Sequence, residues 1–155
     1  MYDAAAALLT QLETAVATVD CEITESFVSA GAPASPNPGC TQLSVWVDSV
    51  NPVPQENDCV RFTALTLAYR LDWCYRESEG GPTPTMHEGV AECFNDLMEA
   101  MWCEIISSAS DGTLAGSTEC DLIELGPFNV DGRLGGNVSA TGSVILNRWE
   151  CVTSS

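Results

Sequence analysis

Apolar residues recur at helical spacing at the start of the chain. Behind Asp3, a residue suited to capping a helix, stand Ala5, Leu8, Leu9, Leu12, Ala15, Val16 and Val19, a stripe with the 3.6-residue period of an α-helix. Asp20 and Cys21 end it. The stripe is narrow and alanine-rich, so this helix is expected to lie against a sheet or a neighbour rather than inside a core. Residues 22–29 read as a short strand. Gly31 to Gly39 then holds three prolines and two glycines in nine residues. That content excludes regular structure and predicts an exposed loop.

A period of two follows. Leu43, Val45 and Val47 alternate with Ser44, Trp46 and Asp48, predicting a strand over 41–48 that Pro52 and Pro54 break. The longest strand signal runs from Cys59 to about Tyr75. One face carries Arg61, Thr63, Leu65, Leu67, Tyr69, Leu71 and Trp73; the other carries Val60, Phe62, Ala64, Thr66, Ala68, Arg70 and Asp72. Both faces are apolar midway, so this strand should be central and covered on both sides there. Polarity rises after Ala68, and the far end is expected to project from the covered zone.

Gly80 to Pro84 interrupts the pattern, and Thr85-Met86-His87-Glu88 has the form of a capping box. The helix it opens carries Val90, Cys93, Phe94, Leu97, Met98, Met101, Trp102, Ile105 and Ile106, a broad stripe that marks the main core helix. The last third reads as a strand at 119–125, a turn at Gly126-Pro127, a glycine-rich loop over 130–136 and a final strand over about 138–150. Adjacent strands interrupted by one helix predict an α+β fold: a mainly antiparallel sheet of four to five strands packed against two helices, in one domain spanning 1–155.

Charge changes the picture most. The 155 residues include no lysine, and 22 carboxylates face five arginines (Arg61, Arg70, Arg76, Arg133 and Arg148), for a formal charge of −17. The chain is nevertheless 45% hydrophobic, which excludes an acidic disordered tail. A folded body of this charge repels nucleic-acid phosphates and anionic membranes. No apolar run approaches the ~20 residues of a membrane span. No basic stretch precedes the short apolar segment Ala4–Leu9, so no signal peptide is read and the expected place of synthesis and residence is the cytoplasm.

Eight cysteines stand at 21, 40, 59, 74, 93, 103, 120 and 151, none in a C-x-x-C pair. That spacing does not suggest zinc, and the thiols are expected to pack as small hydrophobes. Cys21 and Cys40, flanking the turn-rich segment, are the pair expected to close in an oxidising space. Asn137-Val138-Ser139 fits the glycosylation pattern, which carries no weight without export.

Catalytic chemistry is sparse. His87 is the sole histidine, so any Ser-His-Asp or Cys-His arrangement must use it. Its place in a helix's first turn disfavours the imidazolium, and it reads as a surface residue. Gly132-Arg133-Leu134-Gly135-Gly136 lacks the lysine and following helix of a phosphate loop and reads as a hairpin loop. Glu119/Asp121 and Glu88/Glu92 are neighbours that 22 acids produce by chance. The arginines form no basic patch. The aromatics at 46, 69, 73, 75, 102 and 149 read as core or interface anchors. No catalytic residue, cofactor or metal is assigned, and the chain is not expected to be an enzyme.

The order of elements resembles a known family. An amphipathic helix, a strand, a proline-rich loop, the strand Leu43–Val47, the long strand Val60–Tyr69, the helix Met86–Ile106, and a glycine-containing loop with the closing strand Ser139–Leu146 together look like the tail terminator proteins of long-tailed bacteriophages. Those are small acidic α+β proteins that cap the tail tube as hexameric rings and join it to the head. The resemblance implies a structural virion protein, assembled in the host cytoplasm, whose partners are its own copies, the tail-tube protein and the head-to-tail connector. DNA would pass through an acidic lumen without specific binding. Leu71, Trp73 and Tyr75, at the outer end of the long strand, would supply exposed apolar groups for the ring, and Arg133 would contribute to a ring or partner interface. Loops 31–39 and 126–137 would touch the next ring. The lack of a family motif leaves other roles open: a head-completion or stopper protein, a tail-tube subunit, an acidic carboxylate enzyme, or a DNA-mimic inhibitor.

Overall fold

The structure is a computed structural model and describes residues 2–34, 36–37, 39–53, 60–74, 88–116, 120–133 and 137–151. In chain order the elements are α1 (Tyr2–Val16), β1 (Glu25–Ser29), β2 (Thr41–Val53), β3 (Val60–Cys74), α2 (Glu88–Asp111), a 3₁₀ turn at Leu114–Gly116, β4 (Cys120–Leu125), β5 (Asn129–Arg133) and β6 (Asn137–Cys151). The strands form one six-stranded sheet in the order β1-β2-β3-β6-β4, with β5 also on β6. β4 and β5 share one flank of β6, pairing with residues 144–148 and 137–141. Every pairing is antiparallel except β1 with β2, which is parallel. The fold is thus α+β with two helices, as the pattern predicts, and β5 adds a strand to the expected four to five.

The alternation in β3 sets the layering. Its inward residues align across the sheet as Leu43–Leu71–Ala140, Val45–Tyr69–Gly142, Val47–Leu67–Val144 and Val50–Leu65–Leu146. Except for Val47 and the exposed Val50, these residues are buried. They meet Ala4, Ala5, Leu8, Leu12 and Val16 of α1 and Phe94, Leu97, Met101 and Ile105 of α2 in one continuous core. α1 lies against the sheet as expected, and Ala5, Leu8, Leu9, Leu12 and Val16 of its stripe belong to the core. One row is sterically coupled: a Cβ on Gly142 would fall 2.3 Å from the Tyr69 ring. The missing side chain is the space that Tyr69 occupies.

The opposite, outer face is different. Its rows read Gln42–Asp72–Ser139, Ser44–Arg70–Thr141, Trp46–Ala68–Ser143 and Ser49–Thr66–Ile145. Because β1 and β2 run parallel, the chain must return along the sheet between them. It does so across the outer face: the Pro33 carbonyl accepts from Arg70 Nη2, and the Ala34 carbonyl accepts from Gln42 Nε2 at 3.2 Å. The proline-rich segment expected to be an exposed loop is therefore bonded to the sheet. β2 begins with a bulge. Gly39, at φ 83°, donates to the Cys74 carbonyl at 2.6 Å, and Cys74 donates to the Cys40 carbonyl at 3.1 Å. Only glycine adopts that conformation without strain.

Helix ends follow local chemistry. α2 stops in a left-handed Gly112 at φ 70°, with Thr113 donating to the Ser108 carbonyl at 2.9 Å, the six-to-one bond of a glycine C-cap. Ala115 is also left-handed, at φ 60°, a costly conformation for a residue with a Cβ. The Gln11 carboxamide holds it there, accepting from Ala115 N at 2.8 Å and donating to the Thr113 carbonyl at 2.7 Å.

Other expectations need correction. The glycine-rich loop over 130–136 is in part a strand: β5 pairs with β6 from Asn129↔Thr141 to Arg133↔Asn137. The hairpin reading stands, with a longer arm. The capping box lies outside the described residues apart from the backbone of Glu88. Cys21 is disulfide-bonded to Cys93 of α2, with Cα atoms 5.9 Å apart. Neither residue is a free thiol, and the expected Cys21–Cys40 pair is not formed. Cys21 stays on the helix side after α1, whereas the 31–40 segment crosses to the other face of the sheet.

Candidate functional site

The most organised polar group lies on the outer face, under the 31–34 segment. β3 places Arg70 and Asp72 two residues apart on one side of the strand, and Arg70 Nε meets Asp72 Oδ2 at 2.5 Å. The Asp72 side chain is 3% exposed and that of Arg70 16%. Burial of this ion pair is tolerable because each charge has its partner in contact. The guanidinium also lies 5.5 Å from the Trp46 ring centroid, within cation–π range. With ion pair, carbonyl and ring all engaged, Arg70 anchors the crossing segment. Ser44 Oγ, buried in the same row, has no hydrogen-bond partner among the described residues.

A second aromatic group sits on the inner face. Tyr69 stacks on Phe128 at 6.1 Å between centroids, and Phe128 meets Trp102 of α2 at 5.3 Å. Tyr69 is fully buried, its hydroxyl has no partner among the described residues, and burial pushes its pKa up to about 12. A phenol held neutral, with no base beside it, is a packing group rather than a proton donor.

A pocket of about 270 Å³ opens where α1 ends, lined by Glu13, Val16, Val19, Ile23, Ser26 and Leu43 among others. Ser26 Oγ donates to Glu13 Oε2 at 2.7 Å on its exposed rim. Among the described residues, no three His, Cys, Asp or Glu side chains are arranged to hold a metal ion, and no helix is long and apolar enough to cross a membrane.

The expected interface residues do not form one patch. Leu71 is completely buried between Leu43 and Ala140, so it offers no exposed apolar group. The polar rise after Ala68 belongs to the outer row alone, and the inner row stays in the core to its end. Trp73 is half-buried and packs on the core edge between Thr41 and Val138. Tyr75 lies outside the described residues, as do His87 and Glu119. Arg133 stands at the register position opposite Asn137, next to Cys74 across β6.

The helices carry acids alone, whereas the strands carry seven acids (Glu25, Asp48, Asp72, Asp121, Glu124, Asp131 and Glu150) beside arginines. α1 and α2 contain eight acids and no basic residue; Asp3, Glu13, Glu92, Asp96, Glu99 and Asp111 are exposed. Four of the five arginines (61, 70, 133 and 148) stand on strands. The outer rows consist mostly of Ser, Thr, Gln and Ala. No sequence pattern announces this surface, because it appears only when β2, β3 and β6 are set in register. Comparison with known proteins finds no family model that matches the chain and no curated protein that matches it.

Proposed function

We propose that the chain is a structural ring subunit of the tail-terminator kind, capping a phage tail tube and joining it to the head connector. The observation that supports this most is the scarcity of net charge on the middle rows of the outer sheet face. Subunits carrying −17 each repel one another. They can associate through a surface where like charges are few. The half-buried part of the outer sheet face is such a surface: Arg70 and Asp72 cancel beside it, and Ser49, Thr66, Ser139, Thr141, Ser143 and Ile145, which remain partly exposed, carry no charge. Copies would meet there and at the free sheet edges, and the acidic helices would face solvent and the bore. A bore lined with carboxylates repels the phosphates of DNA and lets it slide. Trp73, half-buried at the sheet's end, would be an apolar contact of the ring.

The reading is tested by mixing the purified chain with tail tubes assembled from the tube protein encoded beside it and imaging the product. Rings seated on tube ends are expected. Decoration along the tube wall, or no association, refutes a terminator role.

A further inference from the structure

Cys40 and Cys74 are free, half-buried cysteines joined by a backbone bond at the end of the β2–β3 ladder. They follow the last ladder pair, Thr41↔Trp73, by one residue on each strand. In the bulge Gly39 and Cys40 together stand opposite Cys74: Cys74 N donates to the Cys40 carbonyl at 3.1 Å, and Gly39 N donates to the Cys74 carbonyl at 2.6 Å. A pair that exchanges both bonds across antiparallel strands has Cα atoms about 5.5 Å apart, and Cys40 and Cys74 keep one of those two bonds while Gly39 makes the other. That separation lies within the roughly 4.4–6.8 Å that a disulfide bridges. Two thiols held at this separation by backbone bonds need only side-chain rotation to join. Cys103, exposed on α2, has no such opposed partner.

We propose that Cys40 and Cys74 form a redox-modification site, a dithiol that closes to a cross-strand disulfide on meeting a small disulfide such as oxidised glutathione. The thiolate of one cysteine attacks a sulfur of glutathione disulfide, forming a mixed disulfide and releasing one glutathione thiolate. The thiolate of the other attacks the protein sulfur of that mixed disulfide and releases the second glutathione. Two protein thiols are oxidised, one small disulfide is reduced to two thiols, and the two protons pass to the departing thiolates. The closed bond ties the landing point of the crossing segment to the end of β3, beside Gln42 and Asp72 of the outer face. The Cys21–Cys93 bond lies on the helix side of the sheet, so the two bridges would fasten opposite layers independently.

The test is to incubate the native full chain with oxidised glutathione, block the remaining thiols by alkylation, and map the peptides by mass. The expected product links the Cys40 and Cys74 peptides with loss of two hydrogens and no glutathione, while Cys103 keeps a glutathione adduct. Cys40→Ser should leave the adduct trapped on Cys74, and Cys74→Ser should leave it on Cys40. Glutathione adducts on both cysteines of the unmutated chain, two alkylatable thiols, or pairing of either with another cysteine would overturn the proposal. The mapping of the unmutated chain decides the matter even if a variant fails to fold.

Discussion

On α1 and α2 every charged residue is an acid, and most of their apolar residues go to the core, Tyr2 and Ile106 staying exposed. Across the sheet, the outer rows carry one buried, mutually neutralised ion pair among hydroxyls and small groups. The two faces are made by the same three strands, residue by alternate residue. Leu71 is locked between Leu43 and Ala140, while its neighbours Arg70 and Asp72 hold the 31–34 segment on the other side. The inner face accounts for stability, through burial worth about 25 cal/mol per Å² of apolar area. Part of the outer face is buried as well (Gln42, Ser44, Trp46, Ala68 and Asp72), and its half-buried remainder is left to serve association in the proposed ring.

The strongest way to break the inner side is to release α2 from the end of α1. The Cys21–Cys93 bond closes a separation of 72 residues, and such a loop constrains the unfolded chain by about 4 kcal/mol. Cys93→Ser should lower unfolding stability by roughly that amount in a denaturant titration. Next is the contact between strands. Gly142→Ala drives a methyl into the Tyr69 ring and should cost about 3 kcal/mol by the same titration, an overpacking penalty at the upper end of the usual range.

Tyr69 sharpens the comparison through pH. Its pKa rises from 10.0 to about 12 on folding, so the neutral phenol is favoured in the folded chain. The stability it lends is intact below pH 10 and is lost as pH rises through about 12, some 2–3 kcal/mol in all. Tyr69→Phe should flatten that alkaline decline. Below pH 10 it should leave stability equal or higher by about 1 kcal/mol, because the hydroxyl it deletes is buried without a partner. Thermal melts across pH 8–12 would read both effects (a range set about the two pKa values). A smaller gain is expected from Ala115→Gly, which removes the Cβ from a left-handed position and should stabilise the fold by about 1 kcal/mol.

Periodicity makes the inner face legible: Leu65, Leu67, Tyr69 and Leu71 of β3 are buried where their spacing predicts, as is most of both helix stripes, with Ile106 of α2 exposed instead. β5 was hidden because Asn129–Arg133 has a glycine and only one apolar residue, and it becomes a strand by pairing with β6. The Cys21–Cys93 bond was hidden because its partners are distant in sequence and meet only when α2 docks beside the end of α1. Leu71 was assigned to the surface because a rise in polarity on one face of a strand was read as belonging to both. The outer face has no single-residue signal at all; it exists only as a register.

Thr66 gives the most direct test, since it lies half-buried in an outer row between Ser49 and Ile145, with no charged residue beside it in that row. Thr66→Glu should change stability by less than about 1 kcal/mol. The decisive measurement is the native mass of both chains across protein concentration at low and high salt. The account predicts that the unmutated chain assembles into closed rings, more readily as salt screens its charge, and that Thr66→Glu remains a folded monomer throughout. Equal masses for the two chains under every condition would contradict it.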